Sequence, residues 1–268
     1  MKILSGQELA LFIKERQAHY VRSLLRTSGI VPCLAIVYTT DNPVIDLYVH
    51  LKRRYAKDIG IKVDLYKISQ REVPKLLAKL NQDEDVDGII IQLPLEDPTE
   101  TDKLVNLVDP DKDVDALGEK SQFEPATPMA ILWLLAGYNI DLTGKKVVLL
   151  GKGRLVGKPL MKILHDSGID VTAVDRSTDK LEELVSSADV VIAATGQPSI
   201  LKSEMVKPRA VVVDAGVASE NGKTVGDVDQ SVFDREDLVI TPKKGGVGPL
   251  TICALFDNVI RSAQRRAG

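Results

Sequence analysis

The stretch that decides the fold is KKVVLLGKGRLVGKP, residues 145–159. An apolar run at 145–150 is followed at once by glycines at Gly151, Gly153 and Gly157, and then by a helix-like segment. In dinucleotide-binding units such glycines permit a tight turn, close approach of the backbone to pyrophosphate, and close packing of helix on strand. The spacing is one residue longer than the usual fingerprint, and an ordinary strand–helix turn is the alternative for the loop alone. The strand before it and the helix after it favour a dinucleotide.

Asp175 is the second indication of a dinucleotide. It comes at the end of the next predicted strand, 24 positions after Gly151, where a carboxylate can bond the adenosine ribose hydroxyls. That carboxylate would repel a 2′-phosphate and favours NAD, whereas Lys152 and Arg176 would pair with the phosphate and favour NADP. A polar loop through Ser177 that only caps the next helix is a further interpretation. The residues alone leave NAD and NADP open.

The composition excludes several classes of protein. The chain has 268 residues, 44% hydrophobic and 27% charged, with a net charge of −3, so we expect a globular protein without general affinity for nucleic acid or membranes. Cys33 and Cys253 lie in apolar segments, which favours buried thiols over a disulfide framework or a metal site. No apolar run suits a membrane span or a signal peptide, so we expect a cytoplasmic location.

Helix-like and strand-like segments alternate along the chain, as in α/β folds with parallel sheets. We expect two domains: an N-terminal α/β domain, residues 1–120 with the last helix at 249–268, and a Rossmann-like domain at 121–248. The predicted strands are 32–39, 61–68, 87–95, 145–150, 170–174, 189–195, 210–217 and 238–242. The predicted helices include 6–28, 43–59, 99–108, 127–138, 155–167, 178–187 and 249–265.

Four polar residues of the first half suit a ligand site. Tyr48 and Lys52 are four positions apart in the helix 43–59 and share one face. Gln92 ends a strand, where open α/β sheets bind ligands, and Asp115 lies in the loop KDVDAL. A lysine whose pKa is lowered toward neutrality serves as an acid or a base. The alternatives are a solvated lysine, a polar strand end and a solvated turn.

Further motifs follow in order along the chain: DGIIIQLPL (87–95), PDKDVD (110–115), PATP (125–128), VGKPL (156–160), ATGQP (194–198), GDVD (226–229) and GGVGPLT (245–251). Together with Tyr48-x-x-x-Lys52, they resemble the bifunctional methylenetetrahydrofolate dehydrogenase/methenyltetrahydrofolate cyclohydrolase family over essentially the whole chain. The ordered set is specific, although each motif is weak alone.

The resemblance implies two reactions in a cleft between the domains, within one-carbon metabolism and purine biosynthesis. A hydride passes from 5,10-methylenetetrahydrofolate to a nicotinamide dinucleotide, usually NADP, and water then opens the 5,10-methenyl product to 10-formyltetrahydrofolate. Lys52 is implied as the acid/base of the hydrolysis, and Gln92 as its hydrogen-bond partner that helps to keep its pKa low. Tyr48 is implied near the reacting carbon and Asp115 at the polar edge of the pterin. A homodimer is also implied.

The resemblance further implies contacts to both ligands. For the cofactor these are Gly151, Lys152, Gly153, Arg154, Val156, Gly157, Asp175, Arg176, Ser177, Thr195 and Gly196. For the folate they are Tyr48, Lys52, Gln92, Leu93, Pro94, Asp115, Gly246, Gly248 and Pro249.

The chain departs from the family mainly around the cofactor. Lys152-Gly153 stands where Arg-Ser is common, and Asp175-Arg176 where His-Ser is common, so NAD or dual use stays open beside NADP. Elsewhere, three residues replace a usual glycine, cysteine and proline: Ala116, Ala126 and Lys244.

Two other functions stay open on the sequence. Another two-domain NAD(P) dehydrogenase, acting on a shikimate-like or amino acid substrate, would turn over no folate and need no Lys52. A non-catalytic nucleotide-binding regulator would keep the fold and lose the chemistry, which the presence of Tyr48, Lys52, Gln92 and Asp115 disfavours.

Overall fold

The computed structural model of the chain describes residues 1–220 and 223–268. Its elements alternate as the sequence predicts. The first are β1 (Lys2–Ile3), α1 (Gly6–Ser28), β2 (Cys33–Tyr38), α2 (Pro43–Ile59), β3 (Lys62–Lys67), α3 (Val73–Gln82), β4 (Gly88–Ile91) and α4 (Thr101–Val105). There follow α5 (Ala126–Gly137), β5 (Val147–Leu150), α6 (Gly157–Asp166), β6 (Val171–Val174), α7 (Leu181–Ser186), β7 (Val190–Ala193), β8 (Val211–Asp214), β9 (Ala218–Glu220), β10 (Lys223–Val225), α8 (Gln230–Phe233), β11 (Val239–Ile240) and α9 (Val247–Arg266).

The chain divides into two compact units, one of residues 11–126 and 252–268 and the other of residues 1–10 and 127–251. The N-terminal ten residues therefore differ from the expected division, which put them in the first domain. The physical reason is strand pairing, because β1 lies parallel to β11 with Lys2 opposite Val239. A two-residue strand is too short to show a periodic pattern in the sequence.

The unit of residues 11–126 and 252–268 contains a three-stranded parallel sheet in the order β3-β2-β4. The strand β2 is its centre, and its residues from Cys33 to Val37 are buried. Continuous apolar strands of this kind are typical of parallel sheets covered on both faces. The predicted strand 87–95 ends early, at Ile91, and the chain then turns at the cis peptide Leu93–Pro94. Gln92 is thereby left at the carboxyl edge of the sheet.

The last helix contributes to the core of the same unit. Buried Gln17 of α1 donates from Nε2 to the carbonyl oxygen of Cys253 in α9, at 2.8 Å. The Tyr55 hydroxyl of α2 donates to Gln17 Oε1 at 2.7 Å. Both cysteines of the chain, Cys33 and Cys253, are buried. Three helices that are far apart in the sequence thus meet around one buried glutamine.

The unit of residues 1–10 and 127–251 contains a six-stranded sheet in the order β1-β11-β8-β7-β5-β6, and its pairs are parallel. From β5 the chain goes to β6 on one side and then to β7 on the other. Open α/β sheets bind ligands outside the carboxyl ends of the strands at such a reversal. The structure also contains an antiparallel pair of strands, β9 and β10, that the sequence analysis did not predict.

Within the described residues, no helix combines the length and the apolar character that crossing a bilayer requires.

Candidate functional site

Lys52 and Gln92 meet in the structure. Lys52 lies in α2, and its Nζ donates to Gln92 Oε1 at 2.8 Å. Gln92 is held by the sheet, since its backbone N donates to the carbonyl oxygen of Val37 at 2.8 Å. Its side-chain Nε2 donates to the carbonyl oxygen of Leu93 at 3.1 Å, which turns Oε1 toward the lysine. The amide is therefore oriented as an acceptor for Lys52.

Asp115 acts on the same lysine. Burial lowers the pKa of Lys52, and the negative charge of Asp115 opposes that effect. Burial likewise raises the pKa of Asp115, and the charge of Lys52 opposes it. The lowering of the lysine pKa comes first from loss of water, because a low-dielectric surrounding disfavours the charged form. We call Lys52, Gln92 and Asp115 the lysine site.

The loop that carries Asp115 is organised by Asp113, which the sequence analysis missed. The Asp113 side chain is buried and accepts hydrogen bonds from the backbone N of Gly118 at 2.8 Å and of Leu117 at 3.4 Å. Burial raises its pKa to about 6. Ala116 has a φ of 54°, a left-handed conformation that glycine adopts at lower cost. The position where the family commonly has glycine is therefore strained by its alanine.

The other predicted folate contacts fall into three groups. Tyr48 lies one turn before Lys52 in α2, partly buried, and burial raises the pKa of its hydroxyl. Leu93 and Pro94 follow Gln92 directly. A third set, Gly246, Gly248 and Pro249, belongs to the other unit. The last helix begins at Val247, so Pro249 is its third residue and not its first.

The second site is a cavity of about 160 Å³ at the carboxyl ends of β5, β6 and β7. We call it the dinucleotide cavity. Its lining residues are Leu150, Gly151, Lys152, Gly153, Asp175, Arg176, Ala194, Thr195, Gln197 and Ile200. The remaining predicted cofactor contacts lie in the adjoining segments: Arg154, Val156, Ser177 and Gly196 in loops, and Gly157 as the first residue of α6.

Two glycines make the turn beside this cavity possible. Gly151 has a φ of 106°, and a Cβ on it would lie 2.4 Å from the carbonyl oxygen of Ala194. A Cβ on Gly157 would lie 2.1 Å from the carbonyl oxygen of Gly151. No larger residue fits at either position, whereas a Cβ on Gly153 would meet open space. The close turn and the open third glycine fit a dinucleotide whose pyrophosphate approaches the backbone.

Asp175 lies on the rim of the cavity with both carboxylate oxygens bonded. Lys152 Nζ is 3.0 Å from Oδ2, and Oδ1 accepts from the backbone N of Ser177 at 3.0 Å and from its hydroxyl at 2.6 Å. The bonds from Ser177 and Lys152 hold the pKa of Asp175 below its usual range. Arg176 lines the same cavity. Lys152, which would favour NADP, and Asp175, which would favour NAD, therefore pair with each other.

Gln197 is a cavity residue that the sequence analysis missed. Its Oε1 is buried without a hydrogen-bond partner among the described residues. Its position, four residues after the end of β7, was the available signal, because loops at the carboxyl ends of parallel strands bind ligands. Within the described ranges, no group of three or more His, Cys, Asp or Glu residues is arranged to hold a metal ion.

Two family models match the chain. The tetrahydrofolate dehydrogenase/cyclohydrolase catalytic domain matches residues 4–115, and the NAD(P)-binding domain of the same enzymes matches residues 125–267. A relative in Lactobacillus acidophilus, the bifunctional protein FolD, is 38% identical over an alignment of 280 residues, gaps included, that covers 100% of this chain and 99% of the relative.

Solved structures show the same likeness. The bifunctional enzyme FolD, a methylenetetrahydrofolate dehydrogenase/cyclohydrolase from Campylobacter jejuni, is 37% identical with a TM-score of 0.92, covering 99% of both chains. The Trypanosoma brucei FolD, solved with NADP cofactor and inhibitor, is 28% identical with a TM-score of 0.91, covering 98% of this chain and 97% of that one. With both family models matched along nearly all of its length, the chain belongs to the tetrahydrofolate dehydrogenase/cyclohydrolase family.

Proposed function

We propose that the protein oxidises 5,10-methylenetetrahydrofolate with NAD or NADP and then hydrolyses the 5,10-methenyl product to 10-formyltetrahydrofolate. The observation that carries the proposal is the hydrogen bond between Lys52 and Gln92, in a place where burial lowers the pKa of the lysine. A lysine of this kind suits acid–base chemistry near neutral pH. Neither another dehydrogenase nor a regulator would need it.

The hydrolysis follows from the chemistry of Lys52. The methenyl carbon is cationic, so a charged ammonium beside it would repel the substrate, whereas a neutral amine takes a proton from the water that attacks. As the C–O bond forms, that proton passes to Nζ. When the bond from this carbon to the ring nitrogen breaks, Nζ returns the proton to the nitrogen, and the hydroxyl proton of the new formyl group goes to solvent. Gln92 Oε1 accepts from Nζ at 2.8 Å and keeps the amine directed throughout.

Asp115 and Tyr48 complete the proposed folate site. The Asp115 carboxylate suits the N–H donors at the polar edge of a pterin, since an ionised carboxylate only accepts hydrogen bonds. Tyr48 offers an aromatic face and a hydroxyl, and burial raises the pKa of that hydroxyl. Leu93 and Pro94 would add apolar contact beside Gln92. This assigns folate binding to the unit of residues 11–126 and 252–268.

The dinucleotide cavity is the proposed cofactor site, and a nicotinamide dinucleotide held there would supply the hydride acceptor. The backbone at Gly151 and Gly153 would approach the pyrophosphate. Asp175 would bond the adenosine ribose, with Lys152 and Arg176 beside it. A homodimeric enzyme in the cytoplasm completes the proposal, and light scattering on the purified chain tests the dimer.

The test of the function is a spectrophotometric assay with 5,10-methylenetetrahydrofolate and NAD or NADP in parallel reactions. We expect absorbance of the reduced nicotinamide to appear with at least one cofactor, and the methenyl product to disappear in a second phase. Reactions without folate serve as the control. Absence of reduction with both cofactors would exclude the dehydrogenase.

A further inference from the structure

Asp227, in the GDVD segment, is completely buried and bonded to the wall of the dinucleotide cavity. Its Oδ2 accepts from the backbone N of Thr195 and from the Thr195 hydroxyl, the latter at 2.9 Å. Its Oδ1 accepts from the backbone N of Gln197 at 2.9 Å. Thr195 and Gln197 both line the cavity. One carboxylate thus closes the turn that follows β7.

The surroundings of Asp227 hold the carboxylate in place. A Cβ on Gly216 would lie 2.0 Å from Asp227 Oδ1, so only glycine leaves room for it. The backbone N of Asp227 donates to Asp214 Oδ1 at 3.1 Å, and Asp214 is the last residue of β8. A Cβ on Gly226 would lie 2.0 Å from Asp214 Oδ2. The position of the carboxylate is therefore set by the sheet and by two close glycines, independently of the turn that it binds.

The Asp227 carboxylate also decides what the Thr195 hydroxyl offers to a ligand. A hydroxyl has one proton and two acceptor positions, whereas a carboxylate only accepts. The hydroxyl proton is directed to Asp227 Oδ2, and one acceptor position is taken by the backbone N of Gln197 at 3.0 Å. One acceptor position is left. A ribose hydroxyl or a carboxamide N–H satisfies such an acceptor, and an ionised phosphate oxygen does not.

We propose that Asp227 is a positioning residue of the cofactor site. It fixes the 195–197 turn and presents the Thr195 hydroxyl as an acceptor to a donor group of the bound dinucleotide, a ribose hydroxyl or the carboxamide. This role rests on the proposed function, because it needs a dinucleotide in the cavity.

The test is direct binding of NADH and of NADPH to the purified enzyme, with Kd measured by calorimetry. Asp227→Asn leaves the turn without one of its acceptors, and we expect Kd to rise about tenfold, the effect of losing about 1.4 kcal/mol. Thr195→Val keeps the backbone bonds to Asp227 and removes only the hydroxyl, so we expect a rise of about fivefold.

Asp189→Asn is the matched control. Asp189 also accepts from a backbone N, that of Lys146 at 2.8 Å, and it precedes β7 at the opposite end of the strand from Thr195. We expect a lower thermal midpoint for this variant with the wild-type Kd. An unchanged Kd in Thr195→Val, whether or not Asp227→Asn folds, would overturn the role of Asp227. A wild-type enzyme that binds neither probe would overturn the proposed function itself.

Discussion

Replacing Gln92 by glutamate tests whether the lysine site works through a neutral amine. In the wild-type protein Nζ of Lys52 faces an uncharged oxygen at 2.8 Å. The Gln92→Glu variant puts a carboxylate of nearly the same shape at that distance. An adjacent negative charge favours the ammonium form, so the pKa of Lys52 rises in this variant. The rise opposes the lowering of the pKa that burial causes.

The size of this shift follows from the separation. Two unit charges at the observed 2.8 Å attract by about 6 kcal/mol at an effective dielectric constant of about 20, and by about 1.5 kcal/mol in bulk water. One pKa unit corresponds to about 1.36 kcal/mol. Even the weaker limit moves the lysine by about one unit, which lowers the neutral fraction about tenfold at any pH below its pKa.

The assay is the pH dependence of methenyl hydrolysis, followed as loss of substrate absorbance. If the neutral amine is required, the rate rises with pH through the pKa of Lys52, and Gln92→Glu moves that rise to higher pH by at least about one unit. The control is Gln122→Glu, which makes the same change at an exposed glutamine of the same unit. A Gln92→Glu profile that coincides with the wild-type profile, or moves to lower pH, would refute the role assigned to the neutral lysine.

Three further changes test other parts of the molecule. Lys52→Met removes the proton acceptor, so we expect methenyl hydrolysis to be lost while some hydride transfer remains, measured in separate assays of the two reactions. Asp175→Ser removes the carboxylate paired with Lys152 at 3.0 Å and should shift the ratio of kcat/KM values toward NADP. Ala116→Gly relieves the left-handed φ of 54° and should stabilise the protein by up to about 1 kcal/mol in thermal unfolding.

Each of these changes has a matched control. Lys57→Met alters an exposed lysine of the same helix and should retain hydrolysis, so equal losses in both lysine variants would contradict a specific role for Lys52. Asp179→Ser removes an exposed carboxylate four residues after Asp175. An equal shift in this variant would show that the Asp175 effect comes from net charge alone. Ala136→Gly deletes the same methyl group from the helix α5 and should lower the thermal midpoint. If Ala116→Gly also lowers the thermal midpoint, position 116 is not strained.

Much of the fold was predictable because it rests on short-range patterns. The strands β5 and β7 are continuous apolar runs between turn residues, and both are completely buried. Gly151 and Asp175 each follow a predicted strand, Thr195 is the last residue of another, and parallel strands bring such positions to one edge of the sheet. The family resemblance is likewise a property of spacing along the chain, and the comparisons confirmed it.

Other residues had no such pattern. Asp113 and Asp115 lie in the same acidic loop. Nothing in the sequence distinguishes Asp113, which organises the loop, from Asp115, whose charge acts on Lys52. The two-residue strand β1 carries no period, and its partner β11 lies at the far end of the sequence.

The sequence by itself therefore determined the α/β class, the family and the residue types that carry the chemistry, because periodicity and motif spacing are local properties of the chain. Only the tertiary structure decided which of those residues interact. Lys52 meets Gln92 across 40 positions, and Asp227 reaches Thr195 across 32. Lys152 is paired with Asp175, where the sequence offered them as competing signals for the cofactor. Such contacts depend on strand register and on the close packing that glycines such as Gly216 permit, and neither is a local property of the chain.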